Sequence, residues 1–349
     1  MQALPPETLT LYAELLERLR AYDGARSFAS LPGSFTRKLV EGTTYWYFKT
    51  SAGPGRQREF FVGPDDKPTR AVMDVYAAHR QDVLEMEEQI ERLCAMLRTG
   101  GAQTLDSASA RVIAGLANAG IFRLGAVLVG THAFIALSNA LGVKWSSALR
   151  TQDIDLAAAR ILQLAVPQQE ADLPRALESL NMGFLPVPGL DSREPETSFK
   201  VRGHTLRVDL LTPASGPRRS KPVIIERLKA AAQPVEFLDY LLENPVAAAV
   251  VNGGASLVSV PDPARLAVHK LIVADIRSVS FQAKSVKDRE QASQLLEFLY
   301  AERRGDLRLA VEGLNRQPNA WRVRARRAFA RIPDRLSAAR KLLTESLAA

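Results

Sequence analysis

Ala126-Val-Leu-Val-Gly130-Thr131, a helix expected to run through Leu141, and then Arg150-Thr-Gln-Asp153-Ile-Asp155-Leu-Ala157 are the segments whose reading sets the fold. The first is an apolar, β-branched run that stops at a glycine, the pattern of a buried strand feeding a helix. The second alternates polar and apolar residues. Strand side chains alternate between faces, so Asp153 and Asp155 share one face while Ile154 and Leu156 point into the core.

A third carboxylate lies downstream. Phe199 to Leu211 reads as a hairpin turning at Gly203, and Asp209 sits in its alternating second strand, Leu206-Arg-Val-Asp-Leu-Leu211. A neighbouring antiparallel strand is expected to bring Asp209 beside the first pair. Carboxylates at this spacing can share hard divalent cations such as Mg²⁺ or Mn²⁺, which favour oxygen ligands and commonly add substrate phosphates. Three of them around two ions suit phosphoryl transfer. One ion activates the attacking hydroxyl, and both stabilise charge on the attacking and leaving oxygens. Gly130 at a strand end with Thr131 opening a helix offers backbone N–H groups and a hydroxyl to a triphosphate. Each motif alone is weak, but their order and the third aspartate make the combination more specific.

Gly130-Thr131, a helix, Arg150-Thr-Gln-Asp-Ile-Asp155 and then Asp209 resemble the DNA polymerase beta-like nucleotidyltransferase superfamily. Arg-Thr-x-Asp-Ile-Asp is similar to the bacterial branch that includes abortive-infection toxins. Closer still is a bacterial group labelled nucleotidyltransferase-fold or type-8 NTP-transferase proteins. Its Gly-x-x-Tyr-Trp-Tyr…Gly-Pro meander is matched by Gly42-Thr-Thr-Tyr-Trp-Tyr47 and Gly63-Pro64, and its later motifs by His269-Lys-Leu271 and Lys287-Asp288. The resemblance spans roughly residues 35–300. It implies Asp153, Asp155 and Asp209 as catalytic metal ligands, with Asp209 helping to deprotonate the acceptor hydroxyl. It implies Gly130, Thr131, Arg150, Lys270 and Lys287 as nucleotide-binding residues, with Gly130 and Thr131 on the β and γ phosphates of an NTP such as ATP. The implied reaction moves a nucleoside monophosphate to a hydroxyl of RNA, protein or a small molecule and releases pyrophosphate. Two departures stand out. The turn is Gly-Thr where Gly-Gly or Gly-Ser is commoner, and the path from Thr131 to Asp153 is long, with a loop at Val143-Lys-Trp-Ser-Ser147 placed to contact base or acceptor.

Outward from this centre, the expected fold class is α+β: a nucleotidyltransferase-type mixed sheet with flanking helices. Residues 6–22 have helical leucine spacing, and Pro68 to Arg98 reads as one long charged helix. Between them Phe35 to Val62 reads as a β-meander turning at Ser51-Ala-Gly-Pro-Gly and carrying Arg37, Lys38, Lys49, Arg56 and Arg58. Ile121 to Leu124 is expected to be extended, and Val235 to Leu242, Ala247 to Gly254 and Ala255 to Val260 to be strands. Helices follow Pro263. The expected division is residues 1–100 as helix, meander and long helix, 101–262 as catalytic core, and 263–349 as a helical C-terminal domain.

Composition narrows the alternatives. At 46% hydrophobic and 24% charged residues the chain is ordinary for a globular protein. No run approaches the ~20 apolar residues of a membrane span. The single cysteine, Cys94, excludes an internal disulfide and points to the cytoplasm and a core position. The four histidines lack zinc-ligand spacing, although His132, just after the glycine turn, could touch phosphate. There is no P-loop and no nucleophile elbow. Net charge is +8, and from Glu302 onward 12 Lys/Arg face 5 Asp/Glu, a surplus that suits an anionic macromolecule such as RNA. Two other readings use the same residues: a non-catalytic nucleic-acid-binding or regulatory module, and a metal-dependent phosphohydrolase.

Overall fold

The computed structural model describes the chain except residues 26–32, 41, 52–56, 148–150, 160–170, 190, 192, 215–220 and 348–349. The elements begin with β1 (Gln2–Ala3), α1 (Pro6–Ala25), β2 (Gly33–Val40), β3 (Thr43–Ser51), β4 (Gln57–Pro64), α2 (Lys67–Thr99) and α3 (Ser107–Asn118). The centre holds β5 (Val127–Val129), α4 (Gly130–Leu141), β6 (Val143–Lys144), β7 (Asp153–Ala157), α5 (Leu173–Ser179), β8 (Phe184–Pro186), β9 (Ser198–Val201) and β10 (Arg207–Pro213). Then come β11 (Val223–Ile225), β12 (Ala230–Val235), α6 (Leu238–Leu242), β13 (Val246–Val251) and β14 (Ala255–Val260). Helices close the chain: α7 (Pro263–Ile276), α8 (Gln282–Glu302), α9 (Arg304–Asn315), α10 (Asn319–Ala330) and α11 (Ser337–Ser346). The fold is α+β, as expected.

A seven-stranded mixed sheet positions the site, in the order β11-β12-β10-β7-β5, with β9 on the first half of β10 and β8 on β9. β5 pairs antiparallel with β7, whereas β10 pairs parallel with β7 and places Asp209 opposite Asp155 and Arg207 opposite Asp153. The expected antiparallel neighbour is therefore corrected to a parallel one. The chain leaves β7 through α5 and β8, and β9 runs opposite to β7. The turn at Gly203, in the left-handed region at φ 74°, then sends β10 back along β7. Asp209 and Asp155 still share a face, now directly side by side.

Two other expectations are revised by local chemistry. Ile121 to Leu124 forms a turn between Gly120 and Gly125, both at positive φ, rather than an extended piece. The strand expected over Val235 to Leu242 stops at Val235. Phe237 breaks it at φ 66°, and α6 buries Leu238, Tyr240 and Leu241. The hairpin β13–β14 forms as expected, and α2 covers the long charged helix.

One continuous apolar cluster runs from Leu105 to Leu347, so Val311, Leu314 and Phe329 of the C-terminal helices share the core of Ile154, Leu156 and Val208. A second joins α1 and α2 to β13 and β14 through Leu15, Leu93, Cys94 and Val251. Burial pushes the Cys94 thiol up to about 11, so it is an inert core residue. In the meander Phe35 and Phe48 pack edge-on against Tyr76 of α2. Its Ala52 to Arg56 turn lies outside the described residues.

Candidate active site

The carboxylates sit where strand periodicity puts them. Ile154 and Leu156 are fully buried beneath the sheet, and Asp153 and Asp155 emerge on the opposite face. β10 repeats the alternation, so Arg207, Asp209 and Leu211 lie on that same face. The three aspartates differ in their surroundings. Asp153 accepts from the Lys284 ammonium at 3.1 Å. Asp209 accepts from Arg207 Nε at 2.6 Å and from the Ser198 hydroxyl, and Arg207 Nη2 in turn donates to Ser198 Oγ at 2.9 Å. Asp155 has no ion-pair partner among the described residues. Burial, then the neighbouring Asp209 and Asp153, push its carboxyl up to about 7.

Gly130 explains itself by contact. Its φ is +68°, and a Cβ there would stand 2.4 Å from Asp155 Oδ2. The chain passes from β5 into α4 directly over the carboxylate, and only glycine has room for that crossing. Thr131 is buried beside it, its hydroxyl accepting from Gln291 Nε2 of α8 at 3.2 Å.

A cleft of about 200 Å³ opens above these groups. One wall carries Gly130, Thr131, Asp153 and Asp155, and the other is basic, with Lys270, Arg277, Lys284 and Lys287 from α7, α8 and the link between them. Its floor is apolar, formed by residues such as Leu211, Leu238, Leu241 and Leu266. Asp209 does not line the cleft. It stands behind Asp155 in the grip of Arg207 and Ser198.

The expected lysines behave differently from one another. Lys270 is buried and bound to Asp288 at 2.9 Å, and Arg277 holds the other Asp288 oxygen at 2.9 Å. Lys270→Ala is expected to lower unfolding free energy by roughly 3 kcal/mol, because it strips a buried carboxylate of a partner. Lys284→Ala, at an exposed pair, should stay within about 0.5 kcal/mol of wild type. Urea midpoints check both, and equal shifts would contradict the distinction. Lys287 is half-buried, and desolvation, followed by neighbouring Lys270, lowers its pKa.

Arg150, expected among the nucleotide-binding residues, lies outside the described residues. The Val143 to Ser147 loop is anchored inward at Trp145, while Lys144 and Ser146 stay exposed. Trp145 stacks on Phe134 at 4.7 Å and donates to its carbonyl at 2.6 Å. The Ser146 N–H and Ser147 Oγ bond to Gln294 and Glu290 of α8. His132 is also turned inward: burial holds it neutral, with its pKa down to about 4, and it does not line the cleft. His269 does line the cleft, fully buried, with burial pulling its pKa down to about 3.

The residues that sequence reasoning passed over are Lys284, Arg277, Gln291 and Gln294. A signal for three of them was present. Lys284, Lys287 or Asp288, Gln291 and Gln294 recur every three or four residues of α8, a polar stripe at helical period that runs into the buried second half of the helix.

The mixed sheet, the crowded glycine turn and the acidic–basic cleft make this an α+β protein with a site suited to phosphate-bearing ligands. A family model described as nucleotidyltransferase matches residues 107–314, well over half of the chain, and the chain belongs to that family. Membership supports nucleotidyl transfer in general. No match was found among curated proteins or among solved structures.

Proposed function

We propose that the protein is a metal-dependent nucleotidyltransferase that moves a nucleoside monophosphate from an NTP to a hydroxyl acceptor, releasing pyrophosphate. The observation that carries this reading is the in-register pair Asp155 and Asp209, with Gly130 closed down on Asp155.

The donor set fits divalent cations. It consists of hard carboxylate oxygens, and Asp155 makes no ion pair among the described residues, with Lys270 and Lys284 acting on it only from a distance. No group of three or more His, Cys, Asp or Glu side chains is gathered for a metal among those residues; Lys284 pairs with Asp153 and Arg207 with Asp209. Asp153, Asp155 and Asp209 would hold two Mg²⁺ or Mn²⁺ ions. When bound, such ions activate the attacking hydroxyl and stabilise charge on the leaving oxygens. The chain does the rest. Gly130 and Thr131 receive the β and γ phosphates at the start of α4, Lys287 and Lys284 neutralise the triphosphate, and the buried Lys270–Asp288–Arg277 cluster fixes the wall that carries them. Asp209 assists deprotonation of the acceptor hydroxyl. The apolar floor excludes water from the reacting phosphate.

RNA is the acceptor we favour, and we place the reaction in the cytoplasm; no described helix is long and apolar enough to cross a membrane. The basic C-terminal region supports RNA less than its charge suggests. Arg324 pairs with Glu236, Arg327 and Arg331 with the buried Asp275, Arg335 with Glu297 and Arg340 with Asp334. The meander supports it better. On the face turned away from α2, Phe61 lies 5.8 Å from Tyr45 and 5.6 Å from Tyr47, with Lys38 over the Tyr47 ring. An exposed Phe61 beside two half-buried tyrosines, with Lys38 over one ring although paired to Glu59, is the chemistry of single-strand stacking. Phe61→Ala should weaken single-stranded RNA binding about tenfold in fluorescence anisotropy, by loss of one stacked base; unchanged affinity would remove the meander from the acceptor site.

The decisive test is incubation with each NTP, labelled at the α or γ phosphate, with Mg²⁺ or Mn²⁺ and total RNA. Transfer of α label to an acceptor with γ label leaving as pyrophosphate is expected. Binding of NTP and RNA with no label transferred from any NTP would favour the non-catalytic module.

A further inference from the structure

We propose that Lys284 is a placeholder cation: without nucleotide its ammonium takes the position at Asp153 that a divalent ion occupies during turnover, and metal and triphosphate enter by exchange with it. This rests on the nucleotidyltransferase reading and adds to it a residue and an order of events. Four carboxylates stand at or beside the cleft. Asp288 is compensated by Lys270 and Arg277, and Asp209 by Arg207 and Ser198. The Asp288 contact is built in, since the Lys270 side chain is only 5% exposed; Arg207, 42% exposed, sits two residues from Asp209 on the same strand. Asp153 pairs directly with Lys284, at 3.1 Å, with Lys287 acting on it from farther along α8, and Lys284 is 59% exposed.

The contrast in exposure decides which cation moves. Drawing Lys270 from Asp288 would strand a buried carboxylate. Releasing Lys284 breaks one solvent-exposed pair of little net worth, and its four-carbon stem in the first turn of α8 lets the ammonium swing within the cleft. Lys284 and Lys287 lie three residues apart on the same helix, on the wall facing Gly130 and Thr131. An ammonium leaving Asp153 therefore meets phosphates held at the glycine turn. Each partner clears the way for the other: an ion at Asp153 frees Lys284 for the triphosphate, and a triphosphate draws Lys284 off Asp153. Metal and triphosphate binding are thus positively coupled through one side chain, and the coupling is reciprocal.

Lys284→Gln separates the two roles because it moves two affinities in opposite directions. Isothermal calorimetry on the full chain would measure Mn²⁺ alone and, in EDTA, inorganic triphosphate alone. Relative to wild type, Mn²⁺ should bind about fivefold tighter or more, since its competitor is gone, and triphosphate about fivefold weaker. Lys284→Arg should retain triphosphate binding. Unchanged Mn²⁺ affinity in Lys284→Gln, or a shift of both affinities in one direction, overturns the exchange while leaving the catalytic reading intact. Absence of Mn²⁺ and triphosphate binding in wild type and variant alike overturns both.

Discussion

Asp155→Asn is expected to lower nucleotide transfer by about 10³-fold or more while raising the melting temperature at pH 8. The two effects share one cause. Asp155 faces Asp153 and Asp209 from a partly buried strand, and its carboxyl is pushed from an ordinary 3.8 to about 7. A carboxyl raised in the folded state opposes folding wherever it must ionise. Below about pH 4 it is protonated in both states and contributes nothing. As pH rises toward 7 the unfolded chain releases its proton more readily, and above 7 the full penalty is present. Asparagine cannot ionise, so it removes a penalty of up to a few kcal/mol, which corresponds to roughly 2–4 °C per kcal/mol. Melting both proteins in EDTA at pH 5 and pH 8 checks this: the advantage of the variant should grow with pH. A variant less stable than wild type at pH 8 would show that Asp155 is compensated by a cation and is not the open position of the site. Retained transfer would remove it from the chemistry altogether.

That single residue also marks what was legible in the sequence. The period-two pattern of Asp153-Ile-Asp-Leu was enough to put both carboxylates on one face over a buried Ile154 and Leu156, and Gly203 was enough to turn the hairpin. The direction of β10 was not legible, because it depends on how the excursion through α5, β8 and β9 returns, and no local preference records that. The reach of α8 was hidden for a related reason. Lys284 meets Asp153 across 131 residues of chain and Gln291 meets Thr131 across 160, so the polar stripe of α8 gains meaning only once it packs on the glycine turn. Lys270 shows the reverse. The resemblance named it for the nucleotide, and it does line the cleft, but its burial against Asp288 could not be read from its charge. Charge is written in the sequence, whereas burial, which decides what a charge can do, is a tertiary property.

Gly130→Ala should cost about 10²-fold or more in transfer, because displacement of a reacting geometry by an ångström is enough for that. The substitution acts in two ways. It places an L side chain at φ +68°, at a cost of about 1–2 kcal/mol. It also sets a methyl 2.4 Å from Asp155 Oδ2, and the carboxylate, as the end of a side chain, is what must yield. Gly203→Ala tells these apart. It has a similar φ, +74°, at the β9–β10 turn, with nothing within 4 Å of a Cβ, so it carries the backbone strain without the contact. Gly130→Ala should lose at least as much stability in urea as Gly203→Ala, and only Gly130→Ala should lose transfer. Equal activity losses in the two would mean that the turn matters as backbone alone. A loss confined to Gly130→Ala ties the glycine to the carboxylate beneath it, as expected where the strand-to-helix crossing holds Asp155 in register with Asp209.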